Sequence, residues 1–324
     1  MPDLRDDVRE LFAAITARQP DGLWSAPGRI VLLSASDGSS LSIAIDRRTL
    51  VAAGQRDDTV LRVVSAQFDQ AVELSLADLD GVQGRAGWAT LPLGVAWALG
   101  RSGADLGAVP GVDLVIESNV PVGAGLGSSA ALASAVALAL DDLWRLGLSR
   151  PELAEVGRLA ESEFAQLSVG STPGDHLTTL LGRPDAALLV DARGGVESID
   201  AGLTAADVTI LVIETGLGWA SRTVSTEQFG EAAEALRARD LAAFARAIDE
   251  PDGTGTEATL AAETAREQGA QAVRMTAGGT LLALAPLDAV SRIQVALDGA
   301  FAEHGFSAPE VYPVRSSDGA TRDA

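Results

Sequence analysis

The stretch "NVPVGAGLGSSAALA", residues 119–133, constrains this chain more than any other. Gly123, Gly125 and Gly127 alternate with Ala124 and Leu126, then Ser128 and Ser129 open an alanine-rich run that favours helix. Glycines in alternation let a backbone adopt positive φ values and come close to a ligand. The strand-like "VDLVIES" lies just upstream, so the order is strand, glycine loop, helix. A helix beginning near Ser128 aims its unpaired N–H groups and positive dipole end at the loop, which predicts a phosphate site. The two serine hydroxyls can donate to phosphate or ligate magnesium. The competing reading is a tight turn with helix-capping serines; the second serine and the flanking pattern P-x-G-x-G-L-G-S-S-A-A weigh against it. The loop is not GxxxxGK[ST], because the lysine is missing, and GxGxxG fails at its last glycine.

All 24 basic residues are arginine, so a cation at that loop has to be an arginine. The chain has no cysteine and two histidines, His176 and His304, which excludes disulfides and thiolate metal sites and leaves too few ligands for histidine-bound zinc. Any metal is expected to be held by oxygen, most simply magnesium. A formal charge of −21 argues against nucleic acid as a partner, since duplex binding needs a concentrated basic surface. The acidic N-terminal stretch "MPDLRDDVRELFAAITARQP" does not read as a signal peptide. Apolar runs such as "ALASAVALALDDLW" meet charge before the ~20 residues a membrane span needs. The expectation is a soluble, cytoplasmic protein without a membrane partner.

At 324 residues the chain is long enough for about two domains. An amphipathic helix is expected over about 3–18, followed by sheet in "RIVLLSAS", "LSIAIDRRTLVAAGQ", "VLRVVSAQ" and "AVELSLA". Helices are expected over 86–101 and from Ser149, with Pro151 in the first turn, where its missing N–H costs nothing. Strands "AALLVDAR" and "VTILVIET" flank a turn-rich stretch near 195–206, where we place the boundary between domains 1–200 and 201–324. Beyond it come helices at about 225–236, 239–249 and 256–268, the middle break being "EPDGTG", then "QAVRMTAGGTLLALAP", a helix and the strand "EVYPVR". The tail "SSDGATRDA" reads as disordered.

"PVGAGLGSSAALA" resembles the second motif of the GHMP kinases, the superfamily of galactokinase, homoserine kinase, mevalonate kinase and phosphomevalonate kinase. "SAPGRI" with "SIAIDRRTLVAAGQRDD", and "AESEFAQLSVGSTPGDHLTTLLGRPDAALLVDAR", are most similar to galactokinase, and "VRMTAGGTLLAL" is similar to the glycine-rich third motif. The resemblance implies a two-lobed α+β fold, with an N-terminal lobe like domain 2 of ribosomal protein S5 and a ferredoxin-like C-terminal lobe. It implies transfer of a phosphoryl group from ATP, with magnesium, to a hydroxyl of a sugar or related small molecule. Asp175 is then the base or orienting carboxylate, and Arg29 holds that carboxylate or the transferred group. Pro121, Gly123, Ala124, Gly125, Leu126, Gly127, Ser128, Ser129 and Ala130 bind the nucleotide; Ser129 and Glu163 hold the metal; Asp37 and Gly174 face the substrate.

Apart from the resemblance, Asp175 reads as a helix cap after Gly174, and His176 as a polar residue at a helix start or a proton-handling neighbour. Set against the galactokinases it resembles, "IVLLSASDGSS" lacks the Glu, His and Asp that the resemblance implies would clamp sugar hydroxyls, has Val31 in place of an asparagine, and offers Asp37 as the carboxylate nearby. The third motif is shortened to "MTAGG". Those departures leave open the acceptor and a second function, a catalytically impaired galactokinase paralogue acting as a nucleotide-binding or regulatory protein. A non-sugar alcohol is a third and weaker possibility. The sequence does not fix the oligomeric state.

Overall fold

The computed structural model describes residues 4–167, 173–216, 223–250, 256–276 and 279–323. Residues 251–255 of the "EPDGTG" breaker and Ala277 and Gly278 of "MTAGG" lie outside the described residues.

Two antiparallel strands, β1 (Gly22–Ser34) and β2 (Ser40–Gln55), form a long hairpin around which the first sheet is built. Its register slips between Pro27 and Arg29. The far side of β2 pairs antiparallel with β5 (Val112–Ser118), which runs parallel to β3 (Val60–Ser65); β4 (Phe68–Ser75) closes that edge. Near the turn, Ser40–Ser42 of β2 pair with β6 (Ala186–Val190), which pairs in turn with β7 (Val196–Asp200). β7 is thus a strand inside the stretch expected to be loop.

Helix α1 (Leu4–Thr16) lays Val8 and Phe12 on one face of this sheet, against Leu23, Leu50, Ala52 and Val115. Each such side chain stabilises the fold by about 1.5–3 kcal/mol on burial. The opposite face carries α2 (Thr90–Arg101), α3 (Ser128–Trp144), α4 (Arg150–Leu159) and α5 (Pro173–Leu181). The central α3 is buried along most of its length, and its alanines let neighbouring elements approach on every side. Glu152 accepts hydrogen bonds from the Ser149 amide and hydroxyl, giving α4 the N-terminal cap expected of it.

The second sheet is antiparallel, with spatial order β11 (Glu310–Val314), β8 (Val208–Glu214), β10 (Leu281–Pro286), β9 (Ala272–Met275). With helices between β8 and β9 and between β10 and β11, this is the ferredoxin-like order. The first helical position is filled by α6 (Thr226–Arg237), α7 (Leu241–Ile248) and α8 (Thr256–Glu267), the second by α9 (Val290–Glu303). Helices α8 and α9 share one apolar cluster with this sheet. The other face packs with α6 and α7 and with Ile30, Leu32, Leu41 and Ile43 of the first hairpin, so one core runs through both sheets.

The C-terminal segment departs from the expectation of disorder. β12 (Thr321–Arg322) pairs with Trp24 and Ser25 of β1. Arg48 draws the preceding residues in, donating to Ser317 Oγ, Asp318 O and Gly319 O. A division of the chain at residue 200 therefore leaves its last residues in the sheet of the first unit.

Candidate active site

The glycine loop is anchored at its root before it turns. Asn119 exchanges hydrogen bonds with Arg48 of β2, its Oδ1 accepting from the Arg48 amide and its own amide donating to the Arg48 carbonyl. Gly123, Gly125 and Gly127 then take φ of 85°, 74° and 75°, a left-handed region that a side chain disfavours. Gly127 is the residue immediately before α3, and no side chain caps that helix end. Ser128 and Ser129 are therefore its first two residues and not its caps, and both are half-buried with their backbones at the positive end of the helix.

The carbonyls of this loop show which way it faces. Ala124 O accepts from Thr280 Oγ1 at 2.8 Å, Gly125 O from Arg29 Nη1 at 2.9 Å, Leu126 O from the Arg29 amide at 2.8 Å, and Gly127 O from the Ala131 amide at 2.9 Å. With four successive carbonyls turned into the protein, the N–H groups of the same peptides are left for an anion. Ala124, Leu126 and Ala130 are buried, Pro121 is half-buried, and Gly123 is exposed at the mouth.

Close approach explains the "PGR" of β1. A Cβ on Gly28 would stand 2.8 Å from Leu126 O, and one on Gly127 would stand 2.8 Å from Arg29 Cγ. The strand and the loop touch because both positions lack side chains.

Arg29 also reaches Asp175, its Nε lying 2.5 Å from Oδ1 as an ion pair without the alignment of a hydrogen bond. Asp175 is 6% exposed and sits inside the first turn of α5, so it is not the cap of that helix. Gly174 beside it is buried, its carbonyl taken by Thr178 Oγ1. A buried hydroxyl pair, Ser134 with Thr179 at 2.6 Å, fastens α5 to α3 below the site. The two residues singled out as catalytic therefore meet, beside the loop.

His176 does stand at a helix start, in the first turn of α5, and is wholly buried there. Its Nε2 lies 3.0 Å from Oε2 of Glu161, itself buried. The ring fits because residue 157 is glycine: a Cβ there would fall 2.5 Å from Nδ1. Glu161 belongs to a five-residue π-type turn, Ala160–Phe164, that extends α4.

Glu163 in the same turn is exposed, with its charge acting on Arg158 one turn earlier. The acid turned inward is Glu161, and no described hydrogen bond or ion pair joins Glu163 to Ser129. Among the described residues no three histidine or acidic side chains form a metal cluster. Asp37 is exposed in the turn between β1 and β2, where its Oδ1 accepts from the Ser39 amide. That turn rests on the second unit, the Ser36 amide donating to Val224 O.

Three residues of this arrangement were not foreseen: Thr280, Glu161 and Gly157. Each acts through a partner distant in sequence, and nothing local to it signals the contact.

Comparison with known proteins adds three findings. Residues 90–183, holding the glycine loop, α3, α4 and Asp175, match the family model described as GHMP kinases N terminal domain. The chain is 29% identical to the galactokinase of Streptomyces coelicolor, with 97% of each chain covered. That alignment spans 386 positions, more than the 324 residues here, so the relative carries segments this chain lacks. In fold, the structure is similar to Lactococcus lactis galactokinase complexed with galactose, with a TM-score of 0.85 at 23% identity, covering 99% of this chain and 100% of that one. It is also similar to Methanococcus jannaschii mevalonate kinase, with a TM-score of 0.64 at 14% identity, covering 91% and 98%.

Proposed function

Because the chain carries the GHMP kinases N terminal domain within a GHMP kinase fold, we propose that it transfers a phosphoryl group from ATP to a hydroxyl of a sugar or related small molecule. The observation that carries this reading is the double contact of Arg29, which binds the carbonyl side of the loop and the carboxylate of Asp175 at once. Galactokinase relatives support the sugar class.

The chemistry asks mainly for positioning and neutralisation of charge. Loop amides and the start of α3 hold the phosphates of the nucleotide. Arg29 stands between those phosphates and Asp175, where it can neutralise charge on the transferred group. Asp175 orients the acceptor hydroxyl and takes its proton as the new bond forms. The buried floor around α3 and α5 keeps water from competing as acceptor.

The residues suit magnesium as a hard cation, since the side chains offered at the loop and beside it, Ser129 and Asp175, carry oxygen donors. Lacking a three-acid cluster among the described residues, the protein would receive the metal together with the nucleotide phosphates. Magnesium would supply charge neutralisation on those phosphates.

The test begins with calorimetry of Mg·ATP. Binding is expected; no detectable binding at millimolar nucleotide would sink the proposal. An ADP-release screen across sugars and alcohols then identifies the acceptor. Asp175→Asn should abolish the signal, and a signal that survives it refutes the assigned role.

A further inference from the structure

Thr280 stands at the entrance of β10 and is 3% exposed. Its backbone is held on both counts: the Thr276 amide donates to Thr280 O at 2.8 Å, and Gly279 before it takes a φ of 81°. Its hydroxyl crosses from the second sheet to the loop on the first, donating to the carbonyl of Ala124, 156 residues away. Ala124 lies between two left-handed glycines, Gly123 and Gly125, where the peptide plane has most freedom to turn. Arg29 and α3 hold the three carbonyls that follow; Thr280 holds the first of the four.

We propose that Thr280 is a positioning residue for the nucleotide phosphates. By keeping the Ala124 carbonyl turned inward it keeps the adjoining N–H groups turned toward the ligand, and it makes phosphate affinity depend on the second sheet. Without the hydroxyl, the Ala124 carbonyl is a buried acceptor with nothing to accept from, and rotating that peptide restores a partner at the expense of the cradle. The inference rests on the phosphate-binding role assigned to the loop.

Two substitutions separate this role from simple packing. Thr280→Val keeps the shape and removes the hydroxyl; Thr280→Ser keeps the hydroxyl and removes the methyl group. Calorimetry with Mg·ATP is expected to show about tenfold weaker binding for Thr280→Val, and affinity within about twofold of wild type for Thr280→Ser. A merely structural role predicts the reverse, with Ser impaired and Val unaffected. Wild-type affinity in Thr280→Val, or equal loss in both variants, overturns the proposal. Should Thr280→Val fail to fold, Thr280→Ala is compared with Thr280→Ser by the same criteria. Failure of the wild type to bind ATP refutes the phosphate site itself and is read separately.

Discussion

Arg29 and Asp175, 146 positions apart in the sequence, meet with 2.5 Å between Nε and Oδ1, and the same guanidinium donates to Gly125 O at 2.9 Å. A planar fork can serve two directions at once, and a lysine ammonium in its place serves one poorly. Arg29→Lys should therefore lower kcat/KM by roughly 10–100-fold although the charge is kept. Steady-state kinetics on the acceptor found by the ADP-release screen measures this; wild-type kinetics in that variant would remove the double contact from the mechanism.

Gly127 allows two things together, a left-handed backbone before α3 and contact with the Arg29 side chain. Gly127→Ala is expected to destabilise the protein by about 1–3 kcal/mol and to weaken Mg·ATP binding. Chemical denaturation and calorimetry measure the two effects. Unchanged stability would mean that the strand and loop can separate without cost.

His176 and Glu161 are both buried and joined to each other, so removing the ring empties a packed space and takes one partner from Glu161. His176→Ala is expected to cost about 2–5 kcal/mol of stability through the cavity and the lost hydrogen bond, whereas His176→Gln, which retains an N–H donor and more of the volume, should cost less than half as much. Gly157→Ala, pressing a methyl into the imidazole, should destabilise by about 1–3 kcal/mol. Urea denaturation of the three variants is the check, and equal stability of His176→Ala and wild type is the adverse result.

Asp113 of β5 accepts hydrogen bonds from Arg18, Arg56 and Arg62. Burial works to raise its pKa, but the bonds from Arg56, Arg18 and Arg62 together outweigh it and leave the group below the ordinary value of 3.8. A depressed folded-state pKa adds stability that is complete above the unfolded value of about 4 and lost as pH falls through the folded one. Asp113→Asn should thus melt several degrees below wild type at pH 7, with the gap steady down to about pH 4 and closing below it. A gap that widens on acidification would contradict this sign.

Much of the site was legible because its residues carry local signals. Alternating glycines before a helix demand a particular backbone, and the helix does begin at Ser128. Arg29 and Asp175 each stand in a motif, and the fold brings them together. Glu161 was not legible: it and Glu163 are two residues apart, and the π-type turn alters the helical register that decides which acid points inward. His176 could not be read as buried either, because the space for its ring is made by the absence of a side chain at Gly157, on another helix. Thr280 escaped because a hydroxyl's partner 156 residues away leaves no periodic trace. The tail looked disordered for its polar, small residues, yet its order is supplied by Arg48 and by the open side of β1.

That last pairing bears on the order in which the molecule can be completed. β12 follows β1 in the chain after every other strand of the sheet, so the outer edge of β1 emerges long before the strand that covers it. Such an edge is a ready template for another chain. The chain blunts the hazard by placing at that edge Pro27, which has no N–H to offer, within a few residues of Trp24 and Ser25, the positions that β12 covers.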